Sequence, residues 1–271
     1  MNKIVHDIDS KIVNFYPLGD FHIGSSHYKE QELKEWVEVI KNDEHALAVI
    51  HGDIINNAIK TSVSDIYDEQ LNPEQAIDRA VEIIEPIKDK IIGITSGNHE
   101  DRTYKITGID VMKNFAYRLG LADRYDPISN LIFLQWGNNR KQGLKGKRTP
   151  LVHTIYMTHG SGGGRTIGAK ANQVARLANM IEADVYVHGH THSPMVLKEN
   201  YIQVNKSNKS WVEKPRLFIN TNSTEGFGNY GERYKLTPTN RDFIKVEFRQ
   251  HNTRKHTIKA TLWNKTSSLT V

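Results

Sequence analysis

Six short polar clusters carry most of the chemistry available to this chain of 271 residues. They are Asp20-Phe21-His22, Gly52-Asp53, Asn56-Asn57, Gly97-Asn98-His99-Glu100, His159-Gly160 and Gly189-His190-Thr191-His192. Apart from the paired asparagines they supply two Asp, one Asn and five His, a donor set suited to two adjacent divalent metal ions. Two cations at about 3.5–4 Å repel each other unless an anion is shared between them. A carboxylate can bridge in this way, and Asp53 is the central candidate. Imidazole and amide donors then fill each shell without neutralising the pair, which leaves positions open for water and phosphate. Such N/O shells favour Mn, Fe, Zn or Ni over Mg, which prefers oxygen donors and retained waters. Metal pairs of this kind hydrolyse phosphate esters.

Residues so far apart in sequence must be brought together by the elements that precede them. Each cluster with donors follows a short apolar run that reads as a buried strand: Asn14–Leu18, Ala46–Ile50, Lys90–Thr95, Ile155–Thr158 and Val185–Val187. In open α/β sheets ligands bind beyond the carboxyl ends of strands, so five such ends predict one shared rim. Helices are expected over about 29–41, from Asn72-Pro73-Glu74-Gln75 onwards, over 109–119 and over 168–181. Asn72 is a capping residue there and Pro73 suits the first helical position. The first half alternates strand and helix. The second half adds strands near 184–188, 195–204, 215–220, 242–249 and 254–263, and Leu131–Trp136 with Leu151–Thr158 flanks a polar loop. No repeat or linker interrupts the chain. The expected architecture is one α/β domain over 1–271, a four-layer α-β-β-α sandwich with two central mixed β-sheets flanked by helices.

The order D-x-H, G-D, G-N-H-[DE], H, G-H-x-H over residues 19–192 resembles the calcineurin-like metallophosphoesterase family. The resemblance implies that Asp20, His22 and His192 hold one metal, that Asn98, His159 and His190 hold the other, and that Asp53 bridges both. It implies that His99 is no ligand but contacts the phosphate and protonates the leaving oxygen. The implied reaction is in-line attack by a metal-bridging hydroxide, with two divalent ions, Mn²⁺ first among the candidates. Glu100 fills the [DE] position and is expected to orient its loop. His51 and His188 also end strands, and packing or support of the ligands is the expected role for both.

The substrate is less sharply written. Ser161-Gly162-Gly163-Gly164-Arg165-Thr166 follows His159, and Gly163, Gly164 and Arg165 are candidates for substrate binding through backbone N–H groups and a guanidinium. No Walker spacing is present. Residues 1–137 hold 14 Lys and Arg against 23 Asp and Glu, whereas residues 138–271 hold 22 against 8. A metal-holding acidic half beside a basic half points to a polyanion. The loop Arg140–Arg148 and the aromatics Tyr201, Trp211, Phe227, Tyr230 and Tyr234 suit nucleic acid. Within the family, the Gly-Asp block of protein phosphatases continues as Asp-Arg-Gly; here it continues as Ile54-Ile55-Asn56-Asn57. The repair-exonuclease branch shares Asp20-x-His22-x-Gly24 and Gly-His-x-His, and a small-diester or cyclic-nucleotide branch shares the same five blocks. A nuclease or phosphodiesterase acting on nucleic acid is the expectation. A small-molecule phosphodiesterase is the alternative, and a non-enzymatic scaffold on the same fold the third reading.

Other classes are excluded by composition. With no Cys there is no disulfide or thiolate site. No apolar run approaches the ~20 residues that span a bilayer, and the first residues lack the apolar core of a secretion signal. Cytoplasm is the default compartment. No apolar seam fixes an oligomeric state, and a homodimer stays open.

Overall fold

A computed structural model describes residues 1–60, 62, 66–137, 150–228, 242–251, 256–263 and 268–270. The strands are β1 (Asn2–Ile8), β2 (Ile12–Leu18), β3 (Ala46–Ile50), β4 (Ile91–Ile94), β5 (Ser129–Trp136), β6 (Leu151–Thr158), β7 (Val185–His188), β8 (Met195–Asn205), β9 (Ser210–Asn220), β10 (Phe243–Gln250), β11 (His256–Trp263) and β12 (Ser268–Thr270). The helices are α1 (Glu30–Asn42), α2 (Pro73–Ile84), α3 (Asn98–Thr107), α4 (Val111–Arg118) and α5 (Ile167–Ala175). One six-stranded sheet has the order β1-β5-β6-β7-β9-β8, the other β12-β11-β10-β2-β3-β4.

Alternation along the strands decides the layers. In β2 and β10, Val13, Phe15, Val246 and Phe248 face the second sheet and meet Ile132, Leu134, Trp136, Ile155, Met157, Val185 and Val187 from it. Their neighbours Tyr16, Leu18, Ala48 and Ile50 point the other way, onto α1, α2 and α4 through Leu33, Trp36, Ile40, Ala80, Ile84 and Phe115. On the far side Tyr156, Tyr186 and Phe218 receive Val174 of α5 and Leu177 just beyond it. Helices, sheet, sheet and helix make the expected four layers, an α/β architecture with two mixed sheets.

Three neighbouring strands run parallel in each sheet: β2 with β3 and β4 in one, and β6 with β7 and β9 in the other. Six carboxyl ends therefore open on one rim. Asn72 accepts from Gln75 N and Gln75 reciprocates, so α2 begins with a full capping box.

Two elements depart from the expectation. Strand β1 pairs in parallel with β5 although its sequence mixes Lys, His and Asp with Ile and Val without strict alternation. Apart from buried Ile8 its inner side chains are only partly covered, which leaves a weak apolar signal. Helix α3 starts at Asn98, inside a motif that reads as a loop. Its one buried residue is Glu100, so no apolar stripe announces it.

Phe15 lies fully buried between the sheets. Phe15→Ala is expected to lower stability by about 3–5 kcal/mol, read from urea unfolding midpoints, with exposed Ile202→Ala as the near-neutral control.

Candidate metal centre

The rim residues reach their positions through unusual backbone turns. Asp20, His22, Asp53, His190 and His192 all have φ between 48° and 66°, in the left-handed region. Each such non-glycine residue costs roughly 1–3 kcal/mol, and such strain gathers at functional sites. Asp and His tolerate this conformation better than bulky residues do. The turns let Asp20 and His22, and His190 and His192, converge on one cluster just past the ends of short strands. Close approach of backbones does the rest. A Cβ on Gly52 would lie 2.2 Å from Gly97 N, and one on Gly97 would lie 2.1 Å from Asp53 Oδ1. Only glycine lets β3 and β4 end in contact there.

Glu100 fixes this junction. Its buried carboxylate accepts from Asp53 N (2.9 Å), Ile54 N (2.7 Å), Ile55 N (3.2 Å) and Gly97 N (3.0 Å). With both oxygens so used, Glu100 holds the loop and does not face the cluster. Burial, with the Asp53 charge, pushes its carboxyl up to about 7 against the pull of those N–H groups.

Two groups of donors match the expected sets: Asp20, His22 and His192 form one, and Asp53, His159 and His190 the other. Asp20 with His51 and His159, and His22 with Asp53 and His99, also come close enough to share an ion. His22 Nε2 and His192 Nε2 face each other at 2.9 Å, with Asp20 Oδ1 at 3.4 Å from His192 Nε2. In the second group Asn98 Oδ1 lies 3.0 Å from His159 Nε2 and 2.6 Å from His190 Nδ1, and Asp53 Oδ2 lies 3.2 Å from His159 Nε2. Imidazole lone pairs cannot point at one another unless a proton or cation sits between them, so the donors fit divalent cations in number and type. Each group takes donors from both sheets, through β2, β3 and β4 on one side and β6 and β7 on the other. His99 stands beside them, with Nε2 3.8 Å from Asp53 Oδ2 and its ring edge-on to His22 at 4.4 Å.

The sixth strand end escapes the motif pattern. Past β9, Thr221 Oγ1 bonds His51 Nε2 at 2.8 Å, and Asn220 Oδ1 lies 3.0 Å from His188 Nδ1. Ser223 and Thr224 donate their hydroxyls to the carbonyls of Asp20 and Phe21, clamping the turn that carries Asp20 and His22. Glu225 accepts from Ser25 Oγ at 3.0 Å and has Oε2 3.9 Å from His192 Nδ1, where a carboxylate orients the imidazole. Hydroxyls and amides in an Asn-Thr-Asn-Ser-Thr run read as an ordinary turn, so only placement reveals them. His51 and His188 are buried in these contacts, and His51 Nδ1 is 3.8 Å from Asp20 Oδ2. Asn56 gives its side chain to Glu69, and Asn57 gives its side-chain amide to His99 O.

Arg165 is exposed on the loop between β6 and α5, as is Gly163. Gly164 packs on the first turn of α5, where a Cβ would meet Ala169 Cβ at 2.7 Å. Thr166 caps that helix. Trp211 lies at the far end of the β8–β9 hairpin, nine residues before Asn220 and so ~30 Å from the rim. It cannot stack on a base held at the cluster. Tyr201 donates to Glu182, and Phe227 is half-exposed. The loop Arg140–Arg148 and residues Tyr230 and Tyr234 lie outside the described residues.

Burial works against charge throughout, and the partners decide the outcome. Despite burial, the His192, His159 and His51 imidazoles hold Asp20 well below the usual carboxylate range, and His159 and His99 do the same for Asp53. Burial lowers His51 and His190 to about 4 and His99 to about 3. For His159 the Asp53 charge outweighs burial and raises it to about 10.

The model of the calcineurin-like phosphoesterase family matches residues 14–194. The chain belongs to that family, which binds metal at a dinuclear site. No curated protein matches the chain. Among solved structures, zinc-complexed wild-type Vps29 of Entamoeba histolytica aligns at 12% identity and a TM-score of 0.46, covering 96% of this chain and 97% of that one. The phosphoesterase YfkN of Bacillus subtilis aligns at 11% and 0.35, over 92% and 90%. The NAD nucleotidase of Haemophilus influenzae aligns at 11% and 0.38, over 94% of this chain and 52% of its own. At such distances they add nothing to the family match.

The pKa shifts predict a stability maximum near neutrality for the chelator-treated protein. His51 and His190 stay neutral when folded, so below about pH 6.5 the unfolded chain takes up more protons and stability falls towards pH 4. His159 acts oppositely, since its stabilisation is full below its unfolded value and fades as pH rises towards 10. Urea melts should show a loss of more than about 2 kcal/mol between pH 7 and 4.5, and a decline on the alkaline side.

Proposed function

We propose that this protein is a dinuclear metal-dependent phosphoesterase that hydrolyses phosphodiester bonds in line, most favourably in nucleic acid. The observation that supports it is the pair of donor groups meeting at Asp53, with His99 beside them, its Nε2 3.8 Å from Asp53 Oδ2. In this reading Asp20, His22 and His192 hold one ion, Asn98, His159 and His190 the other, and Asp53 both. When bound, the ions activate water and neutralise phosphoryl charge; Mn²⁺ leads Fe, Zn and Ni as the candidate. The chain supplies the rest. The Glu100 junction sets the distance of Asp53 from Asn98, the Thr221–Glu225 loop holds the Asp20 turn, and His99 faces the substrate phosphate. Gly163, Gly164 and Arg165, on the loop that follows His159, are candidate contacts to more distant parts of the substrate.

Nucleic acid is supported by the basic balance of residues 138–271. The second reading, a cyclic nucleotide or another small diester, draws on the carboxylate of Glu225 beside His192 and on that of Glu69 bonded to Asn56, which disfavour a long polyanion. One domain over 1–271 acting in the cytoplasm completes the proposal. Among the described residues no helix is long and apolar enough to cross a membrane.

Metal analysis of the purified protein and turnover of bis-p-nitrophenyl phosphate with added Mn²⁺ test the reading. A protein that takes up no metal and turns over no ester would be a scaffold. Single-stranded DNA, duplex ends, RNA and cyclic nucleotides assayed side by side separate the substrates; cleavage of cyclic nucleotides alone would refute the nucleic-acid choice. Asp53→Asn is expected to lose the metal pair, measured by elemental analysis. His99→Ala should keep both ions and lose about 10²–10⁴ of turnover.

A further inference from the structure

Helix α3 brings a cation to the site that belongs to neither donor group. Arg102 lies three residues beyond His99, on the same helical face. Its Nη2 donates to His99 Nε2 at 2.9 Å, and its Nη1 donates to the carbonyl oxygen of Asn56 at 3.1 Å. The same carbonyl faces His99 Nδ1 at 2.6 Å. A guanidinium only donates. His99 Nε2 must therefore accept, and the ring proton sits on Nδ1, where the Asn56 carbonyl receives it. His99 Nε2 is thus held between the guanidinium and Asp53 Oδ2, 3.8 Å away. The unit is well anchored: Asn57 Nδ2 donates to His99 O at 2.6 Å and Thr103 Oγ1 to Asn57 Oδ1 at 3.1 Å.

We propose that Arg102 is the phosphate-binding cation of this site, gripping phosphoryl oxygens of the substrate and setting the orientation of His99 beside them. The proposal rests on the phosphoesterase reading for its substrate. While Nε2 accepts from the guanidinium it carries no proton, so in this arrangement the positive charge beside His99 is that of Arg102. His99 can donate to a leaving oxygen only once the guanidinium has turned to the phosphate. A guanidinium remains charged at any working pH, and its parallel N–H groups match two oxygens of a phosphate. Arg165, exposed on another loop, has no such tie to the donors.

The test compares full-length wild type, Arg102→Gln and Arg102→Lys. Metal content, melting temperature, calorimetric binding of inorganic phosphate and hydrolysis of bis-p-nitrophenyl phosphate and a diester with a poorer leaving group are measured. The imidazole nitrogen chemical shifts of His99 are read in the metal-free protein. Arg102→Gln should keep metal and melting temperature yet weaken phosphate binding and kcat/KM by about 10- to 100-fold. The loss should be equal for both leaving groups, since the contact is to phosphoryl oxygens, and Arg102→Lys should recover part of it. His99 in the wild type should read as the Nδ1–H tautomer. Unchanged phosphate affinity in Arg102→Gln, or a loss confined to the poorer leaving group, would overturn the proposal. Should Arg102→Gln fail to fold, phosphate binding by Arg102→Lys and the His99 tautomer decide the same question. A wild type that binds phosphate through Arg102 but hydrolyses nothing would sink the hydrolase reading and uphold this one.

Discussion

Four backbone N–H groups, from two chain segments more than forty residues apart, end on the one buried carboxylate of Glu100. Through that contact the end of β3 and the start of α3 become one rigid piece, with Gly52 and Gly97 thin enough to let their backbones touch. The positions of Asp53, Asn98, His99 and Arg102 all follow from it. A longer side chain at either glycine, or a carboxylate elsewhere, would move Asp53 away from the donors of the opposite sheet. The residue that touches no ion in the proposed site thus has the widest structural reach.

The donors themselves oppose folding. Five of the residues around the cavity are held in left-handed backbone conformations, and buried imidazoles and carboxylates compete for protons in a space with little water. Part of that cost is offset locally, as the Asp20 and Asp53 charges settle against neighbouring imidazoles. The rest is carried by the apolar layers on either side, which are nearly free of polar interruption. Divalent cations would relieve the same tension directly, since they take the place of protons between facing lone pairs.

Much of this was legible in the sequence because metal chemistry restricts residue types severely. Asp20, His22, Asp53, Asn98, His159, His190 and His192 stand at the ends of apolar runs, and both the sandwich and the shared rim follow from that placement. Strand β1 was not legible, because its half-covered face mixes charge with Ile and Val. Helix α3 was not, because its inward side is Glu100 and no apolar stripe. Arg102 shares that helix and stayed hidden with it. The Asn220–Glu225 loop has no rare residue type, and its importance comes wholly from the strand order that inserts β9 between β7 and β8. Trp211, conspicuous as an aromatic among basic residues, sits at the wrong end of its hairpin.

The chain crosses between the sheets three times, from β1 to β2, from β4 to β5 and from β9 to β10. Each donor group spans the same divide, with members on both sheets. The spacing of the two halves is therefore set by the thickness of the apolar layer beneath them, by side chains such as Phe15 and Trp136 that lie between the sheets and belong to neither donor group. The centre works as a caliper across the sandwich: a swollen or collapsed core would register as a change in metal affinity before it registered as unfolding.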